Sequence, residues 1–88
     1  MSYGWRLVGD AIADLRELDP SLQEDVLDEM DRVSSDPSIL RVTPSGYMSH
    51  EIDRSTNEIT HLIFIQLHRD DAHERFTVLG IADHVRRR

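Results

Sequence analysis

Cysteine and lysine are both absent from this 88-residue sequence, and long apolar runs are absent as well. Without cysteine the chain can form neither a disulfide nor a thiolate-held zinc site, so nothing in it requires an oxidising compartment. The longest apolar run, residues 62–65, is far shorter than the ~20 residues of a membrane span. Residues 1–6 also lack the basic and apolar regions of a signal peptide. We therefore expect a cytoplasmic protein without a membrane anchor.

Charge is distributed unevenly along the chain. All ten basic residues are arginine, and the 17 acidic residues give a net charge of −7. Residues 1–37 carry ten acids and three arginines, whereas residues 38–88 carry seven of each. The first part would repel nucleic acid, so a phosphate chain is compatible only with the second part, which holds all five histidines.

Two amphipathic helices are predicted before residue 38. The first ends at Asp19-Pro20, and the second starts there, capped either by Asp19 before Pro20 or by Ser21 with Glu24. The second helix stops before Pro37, because a residue that precedes proline is pushed away from helical geometry. The apolar stripes, at spacings of three and four, are Val8, Ala11, Ile12, Leu15 and Leu18 in the first helix, and Leu22, Val26, Met30 and Val33 in the second.

The remaining apolar segments have the period and the turn residues of strands. They lie at residues 3–8, 39–43, 47–53, 59–67 and 74–81. The predicted order is β-α-α-β-β-β-β, an α+β fold in which an N-terminal strand and a two-helix hairpin precede a four-stranded antiparallel sheet. The length fits a single domain over residues 1–88.

Both faces of the last hairpin carry apolar side chains. A hairpin that is symmetric about residues 70–71 pairs Ile65 with Phe76 on one face and leaves Leu62 and Phe64 on the other. A two-helix hairpin can cover one face only. We therefore expect the second sheet face to be partly covered by a partner protein, a second copy of the chain or a folded-back tail.

Sequence motifs for metal, cofactor or nucleophilic chemistry are weak. His68 and His73 flank the last turn, where a metal could bind them together with Asp70 or Asp71, but solvated turn residues are the simpler interpretation of this spacing. The chain has no Gly-rich phosphate loop and no nucleophile elbow. We expect no metal and no cofactor.

Three segments of the second part carry a family resemblance: Gly46-Tyr47-Met48-Ser49, Thr60-His61-Leu62-Ile63-Phe64 and Val78-Leu79-Gly80-Ile81-Ala82-Asp83-His84. Together with the element order and the helix ends at residues 18–20 and 35–37, they resemble the RelE/ParE toxin superfamily, in particular its YoeB-like branch. The resemblance covers nearly the whole chain.

This resemblance implies the toxin component of a type II toxin-antitoxin system, a ribosome-dependent mRNA endonuclease whose partners are an antitoxin and mRNA on the ribosome. In that chemistry an RNA 2′-hydroxyl attacks the neighbouring phosphate. His84 occupies the place of a catalytic histidine on the terminal strand and is expected to act as general acid. His61 stands where the family has an arginine and is expected to orient the phosphate, while Arg41, Arg54 and Arg86 are the candidate RNA-binding residues.

A second interpretation is a RelE-fold protein-binding module without catalysis. The chain has Val85 where the family has an aromatic residue, and its acidic charge opposes ribosome binding. The nuclease hypothesis, as stated, requires His61, His84 and at least one arginine on one face of the sheet. Separation of these side chains by the sheet would exclude the nuclease hypothesis in this form.

Overall fold

Two helices pack against one face of a four-stranded sheet in the computed structural model of the protein, which describes residues 3–88. This confirms the α+β class. The elements are β1 (Gly4–Leu7), α1 (Asp10–Glu17), α2 (Pro20–Ser35), a 3₁₀ turn (Pro37–Ile39), β2 (Tyr47–Asp53), β3 (Ile59–Asp70) and β4 (Arg75–Arg87).

The sheet has the strand order β1-β4-β3-β2 and is mixed. β2 and β3, and β3 and β4, pair antiparallel, as predicted, but β1 pairs parallel with β4. The prediction of a purely antiparallel sheet was therefore wrong for its first strand. A parallel pair needs a long connection between its strands, and here the helices and the β2–β3 hairpin provide it.

The second helix follows the sequence prediction closely. α2 begins at Pro20, with Asp19 in the N-cap position, and it ends before Pro37. Its whole predicted stripe is buried, namely Leu22, Val26, Met30 and Val33. In α1 the prediction is less accurate, because Gly9, with a φ of 44°, holds the chain outside helical geometry before Asp10. Ala11 and Leu18 are buried, whereas Ile12 is 39% exposed.

The core forms between the helix stripes and one face of β3 and β4. Five sheet side chains in this core have no exposed surface: Ile63, Ile65, Leu67, Phe76 and Val78. Alternation along the strands places their neighbours on the opposite face. In residues 3–88 no helix has the length and apolar character to cross a membrane.

The strand predicted at residues 39–43 is absent from the sheet. Pro37–Ile39 form a 3₁₀ turn, and Val42 is 66% exposed. The guanidinium of Arg69 donates to the carbonyl oxygens of Pro37 and Leu40, at 3.0 Å each. A side chain thus occupies acceptors that a neighbouring strand would otherwise bind, and Pro44 follows shortly afterwards.

The register of the β3–β4 hairpin also differs from the prediction. The turn lies at residues 71–74 instead of 70–71, and Glu74 adopts a positive φ of 50°. A bulge then leaves Leu79 without a partner, because Gln66 pairs with Gly80 and Leu67 pairs with Val78. The assignment of the named side chains to the two faces was nevertheless correct, because the pairing before the bulge is shifted by an even number of residues. The bulge then reverses the alternation of β4, so that Phe76 and Val78 before it and Ile81 after it all face the core.

Candidate functional site

The sheet face opposite the helices, called here the open face, is not covered by either of the described helices. Its centre is apolar, with Leu62 and Phe64 on β3 and Leu79 and Ala82 on β4. Leu79, at the bulge, is 37% exposed. Around this centre lie the polar side chains Arg6, Tyr47, Ser49, Glu51, Asp53, Thr60, Gln66, His68, Asp70, Arg75, Thr77, His84 and Arg86.

His84 lies exposed on this face near the end of β4. Its cross-strand neighbour is Leu62, and Arg86, two residues further along, is opposite Thr60. The Nε of Arg88 donates to Oγ1 of Thr60 at 2.9 Å. An imidazole that can transfer a proton therefore shares one end of the open face with two guanidinium groups that can bind an anion.

His61 lies on the opposite face of the sheet. Its Nε2 is 2.6 Å from Oδ1 of Asp83, and its backbone N–H donates to Oγ of Ser55 at 2.9 Å. In the register, His61 is opposite Val85, whereas its neighbour Leu62 is opposite His84. Because successive side chains on a strand point to opposite faces, the sheet separates the two histidines. The single site that was predicted to contain both does not form.

Of the three arginines predicted to bind RNA, Arg86 shares the open face with His84. The Nε of Arg54 is 3.3 Å from Oδ2 of Asp25 on α2, so this side chain is directed towards the helices. Arg41 is exposed in the segment before β2, beside a shallow cavity of about 420 Å³ that also involves Tyr47 and Met48. The sequence-predicted residues are thus distributed over three separate places.

The two turn histidines have separate partners. The ring of His68 lies against Tyr47, with centroids 4.6 Å apart, and Nδ1 of His73 is 2.8 Å from Oδ2 of Asp70. The bond from His73 lowers the pKa of Asp70 below its ordinary value. Among residues 3–88 no three histidine or acidic side chains are placed to hold a metal ion.

The acidic residues of the helices are remote from the open face. Asp25 binds Arg54, Asp31 accepts from the Trp5 indole at 2.9 Å, and Oδ2 of Asp14 accepts the Ile81 N–H at 2.9 Å. All three bonds form on the helix side of the sheet. The net charge of −7 therefore does not describe the surface around His84, where basic residues are at least as numerous as acidic ones.

His50 and Glu51 point to opposite faces of the sheet, because side chains alternate along β2. Nε2 of His50 is 3.1 Å from Oε2 of Glu29 on α2, whereas Glu51 is exposed on the open face. Glu29 also accepts from Nε of Arg32. The bond from Arg32, with a smaller contribution from His50, lowers the pKa of Glu29 below its ordinary value of 4.5. This carboxylate connects α2 to the edge strand.

Glu29→Gln is expected to reduce the decline of the free energy of unfolding at acidic pH. Because the folded-state pKa of Glu29 is depressed, its charge stabilises the fold above the unfolded pKa, and this contribution is lost as the pH falls from about 4.5 through the folded value. Urea unfolding between pH 3 and 7 should show a smaller decline for Glu29→Gln than for wild type, with a loss of about 1 kcal/mol at pH 7. Glu24→Gln, an exposed acid on the same helix, is the matched control, and an equal effect of both variants would refute the assigned role.

Sequence reasoning missed Arg69 and Asp83. Arg69 holds the 37–46 segment through two carbonyl oxygens and binds Asp71 at 2.6 Å, and Asp83 orients the ring of His61. The sequence does indicate the position of Arg69, because it follows Ile65 and Leu67 at intervals of two and therefore lies on the core side of β3. Asp83 could be found only with the correct register.

Comparison with solved structures identifies the fold. A chain in the crystal structure of the toxin-antitoxin complex RelBE2 from Mycobacterium tuberculosis superposes with a TM-score of 0.65 and 21% identity, covering 96% of this chain and 100% of that one. A chain in the intact RelBE toxin-antitoxin complex from E. coli gives 0.64 and 17%, covering 97% and 100%. The chain has the RelE toxin fold. No protein-family model matches the sequence, and no curated protein matches it either.

The RelE fold places the three resembling segments side by side. Residues 46–49 open β2, residues 60–64 lie in β3 and residues 78–84 lie in β4, and these are neighbouring strands. Gly46 is required at its turn, because its φ is 81° and an added Cβ would lie 2.6 Å from the backbone oxygen of Arg69. The resemblance therefore concerns one continuous part of the sheet.

Proposed function

We propose that the protein is the toxin-type component of a toxin-antitoxin pair, acting in the cytoplasm. The observation that carries the proposal is the RelE fold, which extends over nearly the entire chain. We expect the antitoxin-type partner at the open face, which carries the apolar side chains Leu62 and Phe64 and is not covered by the helices.

Because the sheet separates His61 from His84, the nuclease hypothesis that uses both histidines is set aside. For the activity we propose instead a site that uses His84 without His61, with cleavage of mRNA on the ribosome at the His84 end of the open face. The RNA 2′-hydroxyl releases its proton to water as its oxygen forms a bond to phosphorus, and the bond from phosphorus to the 5′-oxygen breaks, which leaves a 2′,3′-cyclic phosphate. His84 donates a proton to the leaving 5′-oxygen. Arg86 compensates the charge that develops on the phosphate. His61 has no part in this site, because it lies on the other side of the sheet, bound to Asp83.

His84→Ala is expected to abolish growth arrest by the expressed protein. A general acid contributes about 10²–10⁴-fold to such a reaction, so the variant should permit normal amino-acid incorporation while wild type stops it. His73→Ala is the matched control, because His73 is an exposed histidine at the far turn of the same hairpin. Arrest by His84→Ala as strong as by wild type would exclude His84 as the acid.

A binding module without nuclease activity is the second candidate. It is favoured by one observation, the separation of His61 from His84 by the sheet. In the growth experiment this candidate predicts that neither wild type nor His84→Ala arrests growth, although an antitoxin-type partner still binds the protein.

A further inference from the structure

The last residues of the chain carry two arginines on the open face, beyond His84. We infer that Arg86 and Arg88 bind two successive phosphates of a single-stranded RNA whose backbone follows the end of β4. The inference rests on the proposed function, because it concerns the same substrate at the same end of the sheet. It adds to that function a second phosphate site, which Arg88 forms together with Thr60.

The end of β4 stays paired with β3, so the arginines are held in place by the sheet. β4 reaches Arg87, and the backbone N–H of Arg88 donates to the carbonyl oxygen of Glu58 at 2.9 Å. Alternation places the side chains of His84, Arg86 and Arg88 on the open face and that of Arg87 on the helix side. All four residues are exposed. The open face therefore carries a row of three side chains that can bind an anion.

The spacing of this row suits a repeating charge. Side chains at every second position of a strand are about 6.6 Å apart. An extended single strand of RNA has one phosphate per nucleotide, and its successive phosphates lie a similar distance apart. In the proposed site the reacting phosphate lies against His84 and Arg86, so the next phosphate along β4 reaches Arg88. Proteins that bind single strands commonly follow the backbone with positive charges in this way.

Thr60 orients the guanidinium of Arg88. Nε of Arg88 donates to Oγ1 of Thr60 at 2.9 Å, so Nη1 and Nη2 remain for two parallel bonds to one phosphate. The hydroxyl of Thr60 accepts this bond, and its own hydrogen can be donated to an anion. In the register Thr60 is opposite Arg86, so it lies beside both guanidinium groups. Arg88 is thus the phosphate ligand, and Thr60 is a positioning residue.

Acidic side chains leave these two guanidinium groups available. Among residues 3–88 no acidic side chain forms a salt bridge with Arg86 or Arg88. Asp53, an acid on the same face, lies on β2, two strands away from β4, and its Oδ1 accepts the backbone N–H of Ser55 at 2.8 Å. The bonds from Ser55, and then the charge of Arg88, lower the pKa of Asp53. Asp53 therefore makes this end less positive without occupying the terminal nitrogens of Arg88.

NMR titration of the full chain with two short RNAs tests the inference. The probes are 2′-O-methylated UpU, which has one phosphate, and the same dinucleotide with an added 5′-phosphate, and the methyl groups prevent cleavage. Wild type should bind the probe with two phosphates about tenfold more tightly, the effect of one additional charge-assisted contact. Arg88→Gln should bind both probes equally. Arg87→Gln, the matched control, makes the same charge change on the opposite face and should keep the tenfold preference of wild type.

Thr60→Val separates the orientation of Arg88 from its charge. Valine has nearly the shape of threonine and suits a strand, but it cannot accept the bond from Nε of Arg88. The preference for the probe with two phosphates should fall towards that of Arg88→Gln, although no charge has changed. A preference equal to that of wild type would overturn the role given to Thr60. Circular dichroism verifies that every variant is folded.

Equal binding of the two probes by wild type, or binding of neither, would overturn the inference. An equal loss of preference in Arg87→Gln and Arg88→Gln would overturn it as well, because net charge would then explain the effect. The titration contains no ribosome and no cleavable bond. If wild type arrests growth but does not distinguish the probes, the second phosphate site fails and the proposed function stands. If wild type distinguishes them through Arg88 but cleaves no mRNA on the ribosome, the proposed function fails and the phosphate site stands.

Discussion

Phe76→Ala is expected to lower the free energy of unfolding by about 3–5 kcal/mol. Phe76 has no exposed surface, lies on β4 between the helices and the sheet, and contacts the Tyr3 ring with centroids 5.2 Å apart. A chain of this size has a total stability of roughly 4–13 kcal/mol, so the loss is a large part of it. The thermal midpoint, followed by circular dichroism, should fall by roughly 15–30 °C.

Val85→Ala on the same strand is the control for this prediction. Val85 is 57% exposed, so its truncation should change stability by about 0.5 kcal/mol or less. If Phe76→Ala unfolds within a few degrees of wild type, the core does not centre on β4 as described.

Arg69→Met is expected to cost about 2–3 kcal/mol, the second largest effect. The side chain is only 11% exposed, and its loss leaves the carbonyl oxygens of Pro37 and Leu40 without their donor. Methionine keeps an apolar stem but removes the guanidinium carbon, which lies 5.4 Å from the centroid of the Tyr3 ring and 5.9 Å from that of the Phe76 ring. Urea unfolding gives the loss, and hydrogen exchange should show faster opening of residues 37–46.

The ion pair between Arg69 and Asp71 makes the stability of the fold depend on pH. The bond from Arg69 lowers the pKa of Asp71, so this contribution to stability is present above the ordinary value of 3.8 and disappears as the pH falls below it.

Arg75→Met, at an exposed arginine of β4, is the control for Arg69→Met and should change stability by about 0.5 kcal/mol or less. Equal losses for the two arginine variants would contradict the role given to Arg69.

The helices and the two faces of the hairpin could be predicted from local pattern. The stripe from Leu22 to Val33 has helical spacing, and Pro20 and Pro37 mark its ends by removing backbone donors or restricting the preceding residue. Strict alternation from Ile63 to Leu67 likewise determined which side chains face the core. These features depend on residues close together in the chain.

Features that depend on distant residues could not be predicted. Residues 39–43 have strand composition, but the guanidinium of Arg69 on β3 binds the carbonyl oxygen of Leu40 within this segment and that of Pro37 just before it. The bulge at Leu79 is accompanied by a bond from the Ile81 N–H to Asp14 on α1, 67 positions away in sequence. No local pattern reveals such a bond.

The candidate site depended on register in the same way. His61 and His84 can share a face only if the register of β3 and β4 places both residues in cross-strand pairs whose side chains point to that face. The observed pairing of Leu62 with His84 places them on opposite faces. Arg86, two residues from His84, shares its face in any register, so that part of the predicted site follows from alternation along β4 alone.

The most direct test of the proposed toxin function is a bacterial cell-free translation reaction containing the purified protein and a defined mRNA. The account predicts that wild type stops amino-acid incorporation and produces discrete mRNA fragments, and that His84→Ala does neither while His73→Ala behaves as wild type. Undisturbed translation with intact mRNA at a molar excess of folded wild-type protein would contradict it.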